Sequence, residues 1–238
     1  MKIALIGYGK MGKTIERIAI ERGHEIVAIY ASNHPFSSET SKTAEVAIEF
    51  SRPDLALSHI EHALKIGLPI VVGTTGWNHH LSEVSDLVEQ EQGSMLYASN
   101  FSLGVHIFQH LCAQLARMLS LNSHYTLSLE EIHHTQKLDA PSGTAISLAE
   151  RIIEEHSQIH EWKLNPTEVQ GVLPIQAVRT PDVPGTHTLK ATSNVDTLTL
   201  THEAHNRDGF ALGSILAAEF LRGKKGLFTM DDVLNFKP

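Results

Sequence analysis

Glycines 7, 9 and 12 follow directly on the apolar run Lys2-Ile3-Ala4-Leu5-Ile6, and Ile15, Ile18 and Ala19 then recur at helical spacing. Strand, Gly-x-Gly-x-x-Gly and amphipathic helix in immediate succession constrain the fold more tightly than any other feature of the chain. In a dinucleotide site each glycine has a physical task. Gly7 makes the tight turn, Gly9 lets backbone approach a pyrophosphate, and Gly12 lets helix and strand pack closely. Glycine-rich turns also end ordinary strands. At residue 7, between a strand and a helix, the motif points to a dinucleotide held by Gly7, Tyr8, Gly9, Lys10, Met11 and Gly12.

The same rhythm continues to about residue 102. Apolar runs at 3–6, 25–30, 46–50, 70–72 and 95–98 predict strands, and periodic segments at 11–21, 53–66 and 80–91 predict helices. Strands alternating with amphipathic helices are the sign of a parallel, doubly wound sheet. Gly67 stands where a left-handed cap would end the second helix. Beyond Asn100 the pattern changes. Residues 103–119 read as one long helix, followed by period-2 stretches at 125–130 and 196–201 and further strands at 172–179 and 187–191. Such alternation suits a sheet with one face on a core and one polar face. Residues 145–156 read as the helix covering that core, and another helix starts near Asp208. The expected architecture is α/β: a Rossmann-like parallel-sheet domain plus an α+β domain at about 103–206.

The densest chemistry lies at 133–145, His-His-Thr-Gln-Lys-Leu-Asp-Ala-Pro-Ser-Gly-Thr-Ala. Two imidazoles, an ammonium and a carboxylate fall within seven residues, and a turn then opens a helix. A helix start offers unpaired N–H groups and the positive end of a dipole, which suits a carboxylate or phosphate. His133 can donate a proton near neutral pH, and Lys137 can hold or protonate an anionic substrate. A nucleotide fingerprint together with an acid-bearing, anion-binding segment suggests reduction of a small anionic substrate by a nicotinamide cofactor.

Composition excludes several alternatives. A formal charge of -8 argues against a general nucleic-acid surface. No apolar run approaches the roughly 20 residues needed to span a bilayer, and Met1-Lys2 leads straight into a strand without the pattern of a signal peptide. The single cysteine, Cys112, excludes an intrachain disulfide, fits a reducing cytoplasm and lies in an apolar helical pattern that predicts a buried, inert thiol. Sixteen histidines invite a metal reading. His106 and His110, His79-His80, His133-His134, and His202 and His205 around Glu203 match no zinc motif, so no metal is expected.

These segments, with Phe50-Ser51-Arg52-Pro53, Gly73-Thr74-Thr75-Gly76, Ser99-Asn100-Phe101-Ser102-Leu103-Gly104-Val105 and Gly226 through Leu234, resemble the dihydrodipicolinate reductase family of lysine and diaminopimelate biosynthesis. The resemblance runs through nearly the whole chain. It implies NADH- or NADPH-dependent reduction of a cyclic dicarboxylate imine, 4-hydroxy-tetrahydrodipicolinate, to tetrahydrodipicolinate. It implies His133 as proton donor and Lys137 as second acid or substrate-steadying cation. His134, Ser142, Gly143 and Thr144 would serve the carboxylates, with Ser142 also capping the helix. Gly73, Thr74 and Thr75 would touch the nicotinamide half of the cofactor, as would Ala98, Ser99, Asn100 and Phe101, and Ser32 joins the cofactor set. It further implies a homotetramer built through 103–206, and a discontinuous dinucleotide domain of 1–102 and 207–238 with hinges near 102 and 206.

Some positions stay open between two readings. Arg52 is either a solvated loop arginine or a group facing the cofactor. Asp139 either orients Lys137 or His133 or belongs to the turn, and Arg207 is either a salt-bridge partner or a cofactor contact. Three departures from the family also stand out. The stretch 31–45 is too short for a helix plus another strand, and Tyr30-Ala31-Ser32-Asn33 lacks the acidic residue that would bind the ribose hydroxyls of NAD. Thr180-Pro181-Asp182 replaces a loop that carries arginine and glycine in many relatives. With no acid there to repel a 2′-phosphate, and Lys10 and His34 to attract it, NADPH is expected to be modestly preferred. The competing functions are another two-domain NAD(P)-dependent amino-acid-type dehydrogenase and a non-catalytic NADP-binding regulator.

Overall fold

The computed structural model describes residues 1–36, 43–121, 124–165 and 169–236. The chain forms two units, one made of Met1–Leu103 and Arg207–Pro238, the other of Gly104–Asn206.

The first unit carries β1 (Lys2–Ile6), α1 (Lys10–Glu21), β2 (Glu25–Tyr30), β3 (Val46–Glu49), α2 (Pro53–Lys65), β4 (Ile70–Val72), a short 3-10 turn (Asn78–His80), α3 (Leu81–Gln90) and β5 (Ser94–Tyr97). Its six strands, the last supplied by the chain's end, run in the order β2-β1-β3-β4-β5-β11, where β11 is Gly226–Phe228. Every pairing is parallel. Both faces are covered, which is why these strands read as unbroken apolar runs. Ile3, Leu5, Val46, Ile48, Val71 and Leu96 face α1 and a helix from the C-terminal segment, α6 (Asp208–Leu221), through Ile15, Ile18, Ala211, Ile215 and Ala218. Ala4, Ile6, Ala47, Ile70, Val72 and Met95 face α2 and α3 through Ile60, Leu64, Val84 and Val88. Gly213 allows α6 to press against the strand-end loop, because a Cβ there would stand 1.7 Å from the Phe101 carbonyl oxygen. Arg17–Asp208 at 2.7 Å and Arg22–Glu219 at 2.9 Å tie α1 to α6. Such exposed pairs contribute little compared with the buried aliphatic contacts.

β2 is an edge strand, and between it and β3 the described residues add only a bridge between Ala31 and His34. Part of that connection, 37–42 with Glu39, lies outside the described residues. Spacing had not predicted β11 or the short α7 (Met230–Leu234) that follows it. Three residues carry no periodic signal, and β11 exists because it adds to the edge of β5, Leu227 beside Met95.

The second unit holds α4 (Leu103–Leu119, its first residue belonging to the first unit), β6 (Thr126–His133), α5 (Gly143–Glu155), β7 (Glu161–Leu164), β8 (Val172–Arg179), β9 (Gly185–Thr192) and β10 (Thr197–Ala204). The sheet order is β10-β9-β6-β8-β7. Neighbours β10, β9 and β6 are antiparallel, whereas β6, β8 and β7 are parallel. The expectation of a single covering helix is corrected here. Phe108, Cys112, Ala116 and Leu119 of α4 share one core with Leu148, Ala149 and Ile152 of α5, so two helices cover the same sheet face. The other face remains open at Lys190, Thr192, Thr199, Thr201 and Glu203. Cys112 is fully buried, and burial pushes its thiol up to about 12.

Candidate active-site residues

In the second unit the site grows from strand alternation. Leu127, Leu129, Glu131 and His133 take the inward positions of β6, so the apolar stripe of the core ends in a carboxylate and an imidazole. Glu131 is 0% exposed and His133 8%. Register places His187 of β9 opposite Glu131, and Arg179 of β8 opposite His133. A buried carboxylate must be paired or fully hydrogen-bonded. Glu131 accepts the Ser142 N–H at 3.1 Å and 3.0 Å on its two oxygens, and Oε1 also accepts from the Arg179 guanidinium at 3.2 Å. Its Oε2 lies 3.5 Å from Nδ1 of His133 and 3.9 Å from Nε2 of His187.

Burial is the main cause that lowers the proton affinity of His133, with Lys137 and Arg179 acting in the same direction and Glu131 opposing them. His187 is pushed down to about 4, chiefly by burial, and is neutral at ordinary pH. Its ring meets that of His133 edge to face, 5.2 Å between centroids.

The segment after β6 behaves as a tethered loop. Arg179 donates to the carbonyls of Lys137 at 3.4 Å and Asp139 at 2.6 Å, which pins the loop to β8. Lys137 donates to both oxygens of Asp139 at 2.8 Å, and this pairing holds the Asp139 carboxyl below its usual range. Asp139 therefore pairs with Lys137 directly. His134 follows the strand end, half-buried, with an Nδ1 that makes no hydrogen bond.

Ser142 caps α5, its hydroxyl accepting from the Ala145 N–H at 3.2 Å and lying 3.3 Å from His187. Only 2% of Ser142 is exposed, and its hydroxyl makes the helix cap that the sequence led us to expect. Gly143 leads the helix at an exposed position with nothing within 4 Å of a would-be Cβ, and Thr144 follows, partly exposed.

In the first unit, parallel register aligns Ile6, Glu49, Val72 and Tyr97. Gly7, Phe50, Gly73 and Ala98 consequently form one carboxyl edge. The chain goes from β1 to β2 on one side and then crosses back to β3 on the other, and ligands of doubly wound sheets bind at such a switch point. Gly7 has φ +94, and a Cβ on it would lie 2.0 Å from the Phe50 carbonyl oxygen. Gly12 is packed on Gly7, with 2.3 Å from a would-be Cβ to its carbonyl oxygen. Gly9 is the N-cap of α1, exposed, with no side-chain cap and nothing within 4 Å of a would-be Cβ. This open helix start, next to Lys10 and Met11, fits a pyrophosphate.

The other expected cofactor residues divide. Tyr8 is tied by its hydroxyl to Glu16, and Ser32 is exposed in the turn closed by Ala31 and His34. Arg52 is exposed and pairs with Asp54, two residues on. Gly73 faces the Phe50 ring, 2.2 Å from a would-be Cβ, while Thr75 is exposed beside it. The Thr74 hydroxyl accepts the Ser51 N–H at 2.8 Å. Ser99 is exposed at the end of β5, and Asn100 accepts from the Ser102 N–H at 2.8 Å. Phe101 is 1% exposed and packs on Phe50, so only its backbone can serve a ligand. Arg207 is the N-cap of α6, exposed and in no ion pair among the described residues.

Sequence reasoning missed Glu131, Arg179, His187 and Glu49. Glu49 is a second wholly buried carboxylate, which accepts from Ser51 and lies 3.4 Å from His59. The available signal was positional: a glutamate on the apolar face of an alternating strand needs partners. The expected histidine pairs do not assemble a metal-ligand trio among the described residues, but Glu131, His133 and His187 bring ligand atoms within 4.8 Å of one another. That trio suits a proton better than a metal. Glu131 already takes the Ser142 N–H on both oxygens, and the Arg179 cation would face any divalent ion.

A glycine-lined carboxyl edge in one unit and an acid beside a helix start in the other are the features of two-domain oxidoreductases that use a nicotinamide dinucleotide. Family profiles described as dihydrodipicolinate reductase, N-terminus and C-terminus, match residues 1–101 and 104–234. The 4-hydroxy-tetrahydrodipicolinate reductase of Christiangramia forsetii is 44% identical over 99% of this chain and 98% of its own length. That of Staphylococcus carnosus is 34% identical over 99% and 100%. A solved structure, dipicolinate-bound dihydrodipicolinate reductase from Paenisporosarcina sp. TG-14, shares the fold with a TM-score of 0.80 at 24% identity, covering 96% and 97% of the two chains. The chain belongs to the dihydrodipicolinate reductase family and is an oxidoreductase of lysine and diaminopimelate biosynthesis.

Proposed function

We propose that this chain reduces 4-hydroxy-tetrahydrodipicolinate to tetrahydrodipicolinate, with His133 as the general acid. The observation that carries the reading is a buried imidazole at the end of β6, on the strand that leads into an ammonium on a pinned loop and the start of a capped helix. The 4-hydroxyl leaves as water with a proton from the neighbouring ring carbon, which creates a C=C conjugated with the imine, and a bound reduced nicotinamide would supply the hydride that adds to the far carbon of that system. His133 then gives a proton to the enamine that results. Lys137 turns from Asp139 to a substrate carboxylate, and the Gly143 N–H with the Thr144 hydroxyl takes the other, aided by the helix dipole. His134 closes the anion site. The dinucleotide is held by the Gly7–Gly12 turn and the strand ends at Gly73 and Ala98. Oxidation of NADPH on addition of freshly generated substrate tests the reading, and no oxidation would sink it.

Two finer expectations accompany it. No acidic side chain follows Tyr30 in the described turn, so a 2′-phosphate meets no repulsion there, yet Arg52 is engaged by Asp54 and the described turn itself holds no arginine to grip a phosphate bidentately. Both cofactors therefore work, NADPH modestly better. A preference of about tenfold or more for NADH in kcat/KM, roughly 1.4 kcal/mol, would overturn this.

The second unit's open sheet face, with β10 as its edge, is the surface through which we place a homotetramer. Light scattering is expected to give about 105 kDa, four times 26.2 kDa. A 26.2 kDa species at micromolar concentration would refute the assembly. The reduced, buried Cys112 agrees with a cytoplasmic enzyme, and no helix among the described residues is long and apolar enough to cross a membrane.

A further inference from the structure

We propose that Glu131 is a positioning residue for His133, holding the Nδ1 edge of the imidazole so that Nε2 delivers the proton. This rests on the reading of His133 as the acid.

Glu131 is wholly enclosed and fixed from two sides, by the Ser142 N–H at the start of α5 and by the Arg179 guanidinium of β8. Its remaining lone pairs look toward Nδ1 of His133 at 3.5 Å, an ion-pair separation. That nitrogen is buried and makes no hydrogen bond, so the carboxylate is the acceptor it faces. The opposite edge of the ring has a different neighbour. Gly185 starts β9, one step beyond the Ile132–Thr186 pair, and a Cβ on it would stand 3.1 Å from Nε2 and 3.3 Å from Cδ2. A side chain at 185 would cover Nε2, and glycine leaves it open. A carboxylate on one nitrogen and a residue without a side chain beside the other is the arrangement that selects one tautomer after proton delivery: Nδ1–H toward Glu131, Nε2 bare.

The charged and titratable groups around His133 are Glu131 on its own strand, Lys137 and Asp139 on the loop, Arg179 on β8 and His187 on β9. Of these, Glu131 and Asp139 favour the protonated ring, and Glu131 has the larger influence. Replacing the carboxylate by an amide removes that support, so the ring loses its proton at lower pH.

The test combines kcat–pH profiles of wild type, Glu131→Gln and Glu131→Asp with 15N chemical shifts of His133 in the wild-type protein. Glu131→Gln should lower kcat by about 10- to 100-fold near neutrality, the usual cost of losing an orienting partner, with KM little changed. Its loss should grow with pH, because the alkaline limb moves down. Glu131→Asp keeps the charge and should restore the wild-type limb. The neutral ring of the wild type should carry its proton on Nδ1. A loss of equal size at every pH, a wild-type profile in Glu131→Gln, or a neutral ring protonated on Nε2 would each overturn the proposal. If Glu131→Gln fails to fold, as circular dichroism would show, the aspartate variant and the wild-type spectrum still decide. Wild-type turnover tests the reductase reading separately, since the tautomer is measured without substrate.

Discussion

His133→Gln is expected to lower kcat by about 10²- to 10⁴-fold, the span that general acid catalysis supplies, while changing KM far less. The proton matters most in the transition state, so its loss is a kcat effect. The pH dependence should carry the same signature. An acid must be protonated to act, so activity falls as pH rises through its titration. Burial, with Lys137 and Arg179, lowers the titration of His133 in the ligand-free protein, so the alkaline limb of kcat/KM lies below the ordinary imidazole range. A bound dicarboxylate adds negative charge, raises the titration and places the limb of kcat higher. Lys137→Met removes a nearby cation, so its kcat/KM limb should move up, opposite to that of Glu131→Gln, while KM rises through loss of a carboxylate contact. Neither change should alter NADPH affinity, because neither residue belongs to the set assigned to the dinucleotide. Near-wild-type turnover in both variants would reduce the segment to a helix-capping turn.

Gly7→Ala should damage the whole first unit. Its φ of +94 disfavours any side chain, and the new Cβ would be 2.0 Å from a backbone oxygen of Phe50. Neither β3 nor the turn can yield without disturbing β1. The left-handed strain alone costs about 1–2 kcal/mol, and the backbone overlap brings the expected total to about 4 kcal/mol, in the range reserved for special backbone sites. Thermal unfolding should fall by roughly 8–16 °C for a chain of this size. Gly9→Ala provides the contrast. Nothing lies within 4 Å of its would-be Cβ and its φ is -82, so stability should be kept while dinucleotide KM rises. Equal melting of Gly7→Ala and wild type would show that the turn is not the tight junction described.

Both candidate sites were partly legible before any coordinates. The glycine turn, the parallel strands and the His133–Lys137 segment declare themselves locally, because period and turn chemistry act within a few residues. Capping by Ser142 was legible for the same reason. The pairing of Asp139 with Lys137 was left open, since a two-residue spacing fits a turn and an ion pair equally. Local signals failed for β7 and β11, which are four and three residues long and exist through their neighbours. They also failed to show that α4 joins α5 on one face of the second sheet.

The sequence by itself determined the kind of each long element, the alternation of the second sheet's strands and the residues able to carry the chemistry. It ended the alternating stretch at Glu130, whereas β6 runs on to His133 and carries Glu131 and His133 inward. Only the tertiary structure decided that Arg179, 48 residues away, and His187, opposite Glu131 across β6 and β9, converge on that carboxylate. The reason is physical. Side-chain periodicity is a property of one strand, whereas register between strands is fixed by the whole core, and a one-residue slip would turn every partner to the other face.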